Sequence, residues 1–151
     1  MLSTQQINMI RRFNRQYTQA LGILNKHTFD MDMTYPEGRV LIEIAENAPV
    51  TPMMLSKCLG LDKSYTSRII KQLEKKGILS KKRSKQDMRS VELQLTAHGQ
   101  EIFEQVNDRS NQQVAGLLAS LSVGQQEKIF NDVMEINTLL FGGNDENDME
   151  G

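Results

Sequence analysis

The pattern of hydrophobic and polar positions predicts that the chain begins with a long amphipathic helix. Apolar side chains recur there at spacings of three and four, which is the period of one helix face. They are Ile7, Ile10, Phe13, Tyr17, Leu21 and Leu24. Ser3 and Gln6 have the spacing of a capping box, so we expect this helix to cover residues 4–27.

Three shorter helices are predicted over residues 34–77. Thr34 and Glu37 form a second capping box at the start of the second helix, which the sequence Asn-Ala-Pro ends. Thr51, followed by proline, opens the third helix, and Asp62 is a suitable N-cap for the fourth. The apolar stripe of the third helix is Met54, Leu55, Cys58 and Leu59, and that of the fourth is Thr66, Ile69, Ile70 and Leu73.

Two short alternating stretches, "ILSKKR" at 78–83 and "VELQL" at 91–95, predict a β-hairpin. Its tip, "SKQDMRS" at 84–90, carries three charged residues and no glycine, although glycine and asparagine dominate such tips. The charges suggest that the tip contacts another molecule. A short helix, a glycine-containing turn, a helix with a basic outer face and a hairpin together indicate a winged helix-turn-helix.

The remaining residues predict two more amphipathic helices. Thr96 caps the fifth, which carries Leu117 and Leu121 on its apolar face, and Ser122 with Gln125 caps the sixth. The first, fifth and sixth helices have more apolar surface than a winged helix needs to cover itself, so we expect a homodimer. The predicted dimer contacts are Ile7, Ile10, Leu117, Leu121, Ile129, Val133, Ile136 and Leu140.

These elements predict a mainly α fold with a small β-hairpin wing, in which long terminal helices form a dimerisation stem. Residues 1–141 would be a single chain unit, with the winged helix-turn-helix at about 34–96 and stem helices at about 4–27 and 97–141. Residues 142–151, rich in glycine and acidic side chains, predict a disordered acidic tail.

The net charge of −1 hides a strong asymmetry along the chain. Residues 51–99 hold eleven Lys and Arg against four Asp and Glu, whereas residues 100–151 hold two against ten. A charged block is often only a solvated surface. Because the basic block coincides with the hairpin and the helix before it, a polyanionic partner is indicated.

The basic block supplies the predicted contacts to double-stranded DNA. Serine hydroxyls and lysines suit phosphates, and arginine suits base edges or phosphates. The candidates are Lys63, Ser64, Tyr65, Ser67, Arg68 and Lys71 on the fourth helix, and Lys82, Arg83, Lys85, Asp87 and Arg89 on the hairpin. The alternatives are an ordinary exposed helix face and basic residues that keep an edge strand from aggregating.

For the tip we expect Arg89 to enter the minor groove, where narrow A·T-rich segments concentrate negative potential. Asp87 would hold the guanidinium and aim it before binding, and Lys85 would meet the flanking phosphate. The alternative is a surface ion pair worth less than about 1 kcal/mol to folding.

The chain resembles the MarR family of bacterial transcriptional regulators over about residues 5–141. The resemblance is carried by "LSKCLGLDKSYTSRIIKQLEKKGIL" and by the wing "DMRSVELQLTAHG", which is similar to the family's D-x-R…L-T-x-x-G signature. It implies a cytoplasmic repressor on pseudo-palindromic DNA, released by a small apolar or phenolic effector. Two stretches, "RRFNRQYTQALGILN" and "DRSNQQVAGLLASLS", are similar to regulator halves that precede a GNAT acetyltransferase. Since the chain stops where that domain starts, we expect a stand-alone regulator without acetyl-CoA chemistry.

Several side chains have both a structural and a functional interpretation. The single cysteine, Cys58, is expected to be a buried, inert thiol rather than a redox sensor, because it lies on an apolar stripe. The resemblance points the same way, since the family's sensing cysteines generally lie near the first helix. His27 and His98 lack a second ligand at helical spacing, so no metal site is expected. Four methionines are either core filler or the lining of a ligand cleft, namely Met31, Met33, Met53 and Met54.

Other classes of protein are disfavoured by the sequence. There is no GxSxG, P-loop, HExxH or dinucleotide fingerprint, so we expect neither an enzyme nor a bound cofactor. No apolar run approaches the roughly 20 residues of a membrane span, and the N-terminus does not have the order of a signal peptide. The remaining alternative is a winged helix that serves protein interaction and has lost DNA binding, which the basic block argues against.

Overall fold

The computed structural model describes residues 1–25, 27–86 and 89–142, and its elements follow the predicted order. They are α1 (Thr4–Leu21), α2 (Tyr35–Asn47), α3 (Pro52–Leu59), α4 (Lys63–Lys75), β1 (Leu79–Arg83), β2 (Val91–Leu95), α5 (Ala97–Leu118) and α6 (Val123–Phe141). The fold is therefore mainly helical with a two-stranded antiparallel hairpin, as predicted. The chain divides into two compact units, Met1–Gln113 and Val114–Gly151.

The predicted capping boxes are present at Ser3, Thr34 and Ser122, which explains why the helix starts are where the sequence placed them. Two helix ends differ from the predictions. α1 ends at Leu21 rather than at residue 27, because Gly22 adopts a left-handed conformation (φ 66°) and its N–H caps the last turn. α5 ends at Leu118, so Leu121 lies in the turn before α6 and not on the fifth helix.

The hydrophobic core lies in the first unit. Its largest fully buried side chains are Val40, Leu41 and Ile44 of α2, Leu55 of α3, Thr66 and Leu73 of α4, Leu79 of β1, Leu93 of β2 and Val106 of α5. Because α2, α3, α4 and the hairpin all contribute, the helix-turn-helix and the wing share one core. This common core fixes α4 relative to the hairpin.

The hairpin pairs Leu79 with Leu95 and Arg83 with Val91 at its two ends. Val50, just before α3, also bridges to Leu93, with the N–H of Leu93 donating to the Val50 carbonyl at 2.7 Å. This isolated β-bridge beside the hairpin was not predicted, because a single bridging residue has no alternating pattern. Among the described residues no helix is both long enough and apolar enough to cross a membrane.

The predicted acidic tail lies outside the described residues except for Gly142. That glycine adopts a left-handed conformation and caps α6.

Candidate nucleic-acid interface

The candidate interface is built on α4, whose two faces differ in chemistry. Asp62 is the N-cap, and its Oδ1 accepts a hydrogen bond from the Tyr65 N–H at 2.7 Å. The stripe predicted to be apolar is buried, and it consists of Thr66, Ile69, Ile70 and Leu73. Because this stripe packs into the core, the opposite side of the helix faces solvent.

The predicted DNA-contacting residues of α4 lie on that solvent side. Lys63, Ser64, Ser67, Arg68 and Lys71 are exposed, and Tyr65 is half-buried. The guanidinium carbon of Arg68 lies 5.5 Å from the centroid of the Tyr65 ring, within the range of a cation–π contact. Since the Tyr65 ring packs against the core, this contact limits the directions in which Arg68 extends.

The wing presents the second group of predicted contacts. Its exposed cations are Lys82, Arg83, Lys85 and Arg89. Asp87 lies outside the described residues, so its predicted role in aiming Arg89 stays a prediction. Lys81 differs from its neighbours because its Nζ lies 3.8 Å from Glu74 Oε1, which links the base of the wing to α4.

The start of the hairpin tip is held by backbone and hydroxyl contacts. The Ser84 N–H donates to the Ser90 carbonyl at 3.0 Å, which extends the ladder by one pair beyond the strands. Ser84 Oγ in turn accepts from the Gln86 N–H at 3.2 Å. A serine turn of this kind orders a chain reversal without glycine, which leaves neighbouring positions available for charged residues.

A compact junction joins the wing to α5. Thr96 Oγ1 donates to the Gly77 carbonyl at 2.5 Å and accepts from the Gly99 N–H at 2.9 Å. At Gly99 an added Cβ would lie 1.9 Å from the Ile78 carbonyl oxygen, so no side chain fits there. The Thr-x-x-Gly sequence therefore has a packing role: it brings the start of α5 against the backbone of Gly77 and Ile78, which connect α4 to β1.

Cys58 is exposed, and the prediction that its thiol is buried is wrong. α3 fully buries only Leu55 of its predicted apolar stripe; Leu59 is half-buried against the core, and Met54 and Cys58 are exposed. The Cys58 Sγ donates a hydrogen bond to Glu43 Oε1 at 3.1 Å. That hydrogen bond, together with partial burial and the charge of Glu43, raises the pKa of the thiol above its ordinary value, against the opposing effect of Arg39. The protonated, less nucleophilic thiol is thus favoured.

The two histidines lie beside single carboxylates. His27 Nδ1 is 3.6 Å from Asp32 Oδ1, and His98 Nδ1 is 3.9 Å from Glu101 Oε2, and all four side chains are exposed. Within the described ranges, no three His, Cys, Asp or Glu residues come close enough to hold a metal ion.

The four methionines do not form one cleft. Met33 is buried in the core and Met31 packs against it, which fits the core interpretation, whereas Met53 and Met54 are exposed. A cavity of about 670 Å³ lies instead between the end of α1, the segment that follows it and α5. None of the four methionines lines it; its walls include Gln19, Asn25, Gln105, Arg109 and Gln112.

The residues predicted at a dimer interface are mostly uncovered in the single chain. In the first unit Ile7 and Ile10 are exposed. In the second unit Leu117, Ile129, Val133, Ile136 and Leu140 are exposed, and Leu121 is half-buried.

Two residues that contact the segment between α1 and α2 were missed by sequence reasoning. Lys76, the C-cap of α4, donates to the Asp32 carbonyl, and Arg109 on α5 donates to the Phe29 and Asp30 carbonyls. Their partners are backbone atoms 44 to 80 positions away in the chain. No local pattern marks such a contact.

Comparisons with known proteins agree with this architecture. Residues 31–90 match the MarR family. The organic hydroperoxide resistance transcriptional regulator of Bacillus subtilis is 28% identical over 131 residues, which cover 87% of this chain and 78% of that protein.

Two solved structures share the fold. The C80S mutant of MarR from E. coli, complexed with operator DNA, superposes with a TM-score of 0.71 at 24% identity, covering 90% of this chain and 98% of that one. PcaV from Streptomyces coelicolor, in complex with its natural ligand, superposes with a TM-score of 0.64 at 22% identity. The match covers 90% of this chain and 96% of that one. The chain therefore has a MarR-like winged-helix fold, its residues 31–90 match the MarR family, and it is similar over most of its length to a transcriptional regulator.

Proposed function

We propose that the chain acts as a homodimeric repressor that binds pseudo-palindromic duplex DNA with α4 in the major groove and the wing beside it. The observation that carries this proposal is the outer face of α4, which is exposed and basic directly opposite its buried stripe. Exposed cationic side chains on the wing extend this positively charged surface. Two copies of α4 in a dimer would match half-sites about one DNA turn, roughly 34–36 Å, apart.

The proposal divides the work between the predicted contacts. Lysines and serines such as Lys63, Ser64 and Lys71 would bind phosphates and fix the register of the helix on DNA. Arg68 would read a base edge, since a guanidinium donates two parallel hydrogen bonds to guanine. In the same proposal, the wing contacts the phosphates and the minor groove on the flank of each half-site.

We also propose that a small molecule releases the repressor from DNA. The cavity of about 670 Å³ lies within the usual size range of small-molecule sites, roughly 300–1,000 Å³. Its walls are mostly amide and charged side chains, Arg109 among them. A phenolic effector, whose hydroxyl can hydrogen-bond to these amides and to the Asp30 and Asp108 carboxylates, therefore fits this cavity better than a purely apolar effector does.

Two finer points belong to the same proposal. The division into a winged helix and a dimerisation stem, and a cytoplasmic site of action, follow from the function proposed here. The narrower resemblance to regulators that precede a GNAT acetyltransferase stays a prediction, and the proposed function does not depend on it.

Fluorescence anisotropy tests DNA binding directly. A duplex selected by this protein from a random pool, and a scrambled duplex of the same length, are titrated at several salt concentrations. If the dimer makes roughly 6–10 phosphate contacts, affinity should fall by about 10³–10⁵ between about 50 and 200 mM salt. Arg68→Ala should reduce the preference for the selected duplex, whereas Lys71→Ala should weaken binding to both duplexes.

Lys128→Ala is the matched control for loss of charge. Lys128 is an exposed lysine on α6 that pairs with Asp132 at 3.0 Å. It is not among the predicted DNA contacts. Its removal should leave both affinities nearly unchanged. A flat salt dependence, or selection that enriches no sequence, would instead favour the protein-interaction alternative.

A further inference from the structure

Two cationic side chains from different helices hold the same short segment between α1 and α2. We propose that Arg109, Lys76 and residues 28–34 form a brace that positions α4 for sequence-specific DNA binding. This inference rests on the proposed function in one respect only, namely that α4 reads the DNA. Arg109 and Lys76 would be positioning residues and not DNA contacts.

The first half of the brace is the contact of Arg109 with a strained turn. Phe29 and Asp30 both adopt left-handed backbone conformations, with φ of 54° and 53°. Consecutive non-glycine residues in this region are uncommon, and they persist where surrounding contacts hold them. Arg109 Nη1 donates to the carbonyls of both residues, at 2.6 Å and 3.1 Å. One guanidinium therefore stabilises two successive peptide groups of the turn.

The segment between the two contacts is ordered enough to transmit a displacement. The Thr28 N–H donates to the Met33 carbonyl at 2.7 Å, and the Met31 N–H donates to the Thr28 carbonyl at 3.0 Å. Thr28 and Met33 are also buried at its two ends. A closed turn with buried ends moves as a unit, since bending it would break internal hydrogen bonds.

The second half of the brace is Lys76 at the end of α4. Its Nζ donates to the Asp32 carbonyl at 2.9 Å and to Glu37 Oε2 at 3.2 Å. Glu37 is only 12% exposed, and the same oxygen accepts from the Thr34 N–H, so the carboxylate is held in place. The C-terminal end of α4 is thereby tied to the segment that Arg109 holds from α5.

The end of α4 matters for recognition because a helix is stiff. With 13 residues, α4 is about 20 Å long, so a shift at its C-cap tilts the face that carries Arg68. Hydrogen bonds to base edges tolerate only small changes in distance and angle, whereas attraction to phosphates is far less directional. Loss of the brace should therefore reduce sequence preference more than it reduces overall attraction to DNA.

Amide hydrogen exchange in the free protein tests the brace without DNA. Arg109→Gln should speed exchange of the Thr28 N–H and also of the Lys76 N–H, which bonds to Gln72 within α4. Gln112→Ala is the matched control, because Gln112 lies on the same helix and lines the same cavity. If Arg109→Gln leaves Lys76 exchange at the parent rate, the two contacts are not coupled and the proposal is wrong.

DNA binding provides the second measurement, with Arg109→Gln, Lys76→Gln and the double variant on the selected and scrambled duplexes. Each single change should weaken binding to the selected duplex roughly three- to thirty-fold. Arg109→Gln should leave the scrambled duplex unaffected. The double variant should bind the selected duplex with the same affinity as the single variant that binds it least tightly, because both changes break one unit. Losses that multiply would overturn the proposal.

Two further variants separate positioning from charge and from folding. Lys75→Gln removes the same charge from the neighbouring exposed residue, so it should lower binding to both duplexes equally. Lys76→Arg keeps a cation with donors and should restore the preference for the selected duplex. If Lys75→Gln and Lys76→Gln have the same effect, the brace is refuted. A parent that does not discriminate between the duplexes would refute the proposed function, and hydrogen exchange would still decide the brace.

Discussion

The Cys58 thiol illustrates how a single neighbour controls the chemistry of a residue. Its hydrogen bond to Glu43 raises the pKa of the thiol although the side chain is exposed. Because the thiolate is the reactive form, exposure alone does not make this cysteine a sensor. The sequence predicted an inert thiol and gave burial as the cause, whereas the side chain is exposed. Burial was misjudged because α3, with eight residues, turns only Leu55 fully into the core.

We therefore predict that Cys58 reacts slowly with iodoacetamide at neutral pH and that Glu43→Gln makes the reaction several-fold faster. Removing the charge takes away one cause of the raised pKa, so a larger fraction of the thiol ionises at a given pH. Mass spectrometry of the alkylated protein over time gives the rate. Glu46→Gln is the control, because Glu46 is an exposed residue of α2, the helix that also carries Glu43. In this variant Cys58 should react at the rate of the parent.

We predict that Arg89 is the reason why the wing tip carries charge where a glycine would suffice. An arginine in a narrow minor groove gains from the concentrated negative potential there. We predict that Arg89→Ala weakens binding to the selected duplex by about 1–3 kcal/mol and barely changes the melting temperature, because the residue is exposed. Anisotropy at matched salt and thermal unfolding measure the two effects. If Arg89→Ala bound as tightly as the parent, the tip would have no part in recognition.

At the scale of elements, the junction of Thr96 and Gly99 determines where the wing ends and α5 begins. Thr96 caps the helix and binds the carbonyl before β1, and Gly99 permits the close approach of the two backbones. The sequence predicted the cap at Thr96. The need for glycine at position 99 is visible only in three dimensions, because it depends on a backbone atom of Ile78.

We predict that Gly99→Ala destabilises the protein by about 1–3 kcal/mol or more, since its Cβ would overlap the Ile78 carbonyl oxygen. Gly116→Ala is the matched control. Gly116 lies on the same helix with open space around it, so alanine should stabilise the helix by up to about 1 kcal/mol. Chemical denaturation of both variants measures the difference, and equal stabilities would show that the junction tolerates a side chain.

The starts of elements were more predictable than their ends. Capping boxes are local, so the sequence specified where α1, α2 and α6 begin. The end of α1 was misplaced because the apolar period continues to Leu24 while Gly22 already stops the helix. Leu121 was misplaced for the same reason: its spacing fits the helix, but the turn comes first.

At the scale of the whole molecule, the sequence predicted the charge distribution but not the contacts between distant segments. The basic block at residues 51–99 is a sum over residues, which needs no structure. The contacts of Arg109 and Lys76 with the segment before α2 depend on the packing of helices far apart in sequence. For this reason the predicted DNA face came from the sequence, whereas the brace behind it did not.

The second unit shows why a partner is expected. No residue between 114 and 142 is buried, yet α6 carries apolar side chains along its length. Val133 and Ile136 are each 47% exposed and Leu140 is 70% exposed. Such a continuous apolar helix surface is unusual for a monomer and typical of an interface. We propose that a second copy of the chain covers it.

We predict that Val133→Asp converts the protein to a monomer, because a carboxylate buried without a partner costs several kcal/mol at an interface. Asn131→Asp is the matched control: it adds the same charge to an exposed polar position of the same helix, so it should remain dimeric. Sedimentation velocity gives the masses, and circular dichroism should show unchanged helix content, since α6 contributes no buried residue to the core. A Val133→Asp protein that sediments with the parent would exclude this interface. If the monomer forms, its affinity for a full palindrome should fall to that of a single half-site, because one α4 then reads the DNA alone.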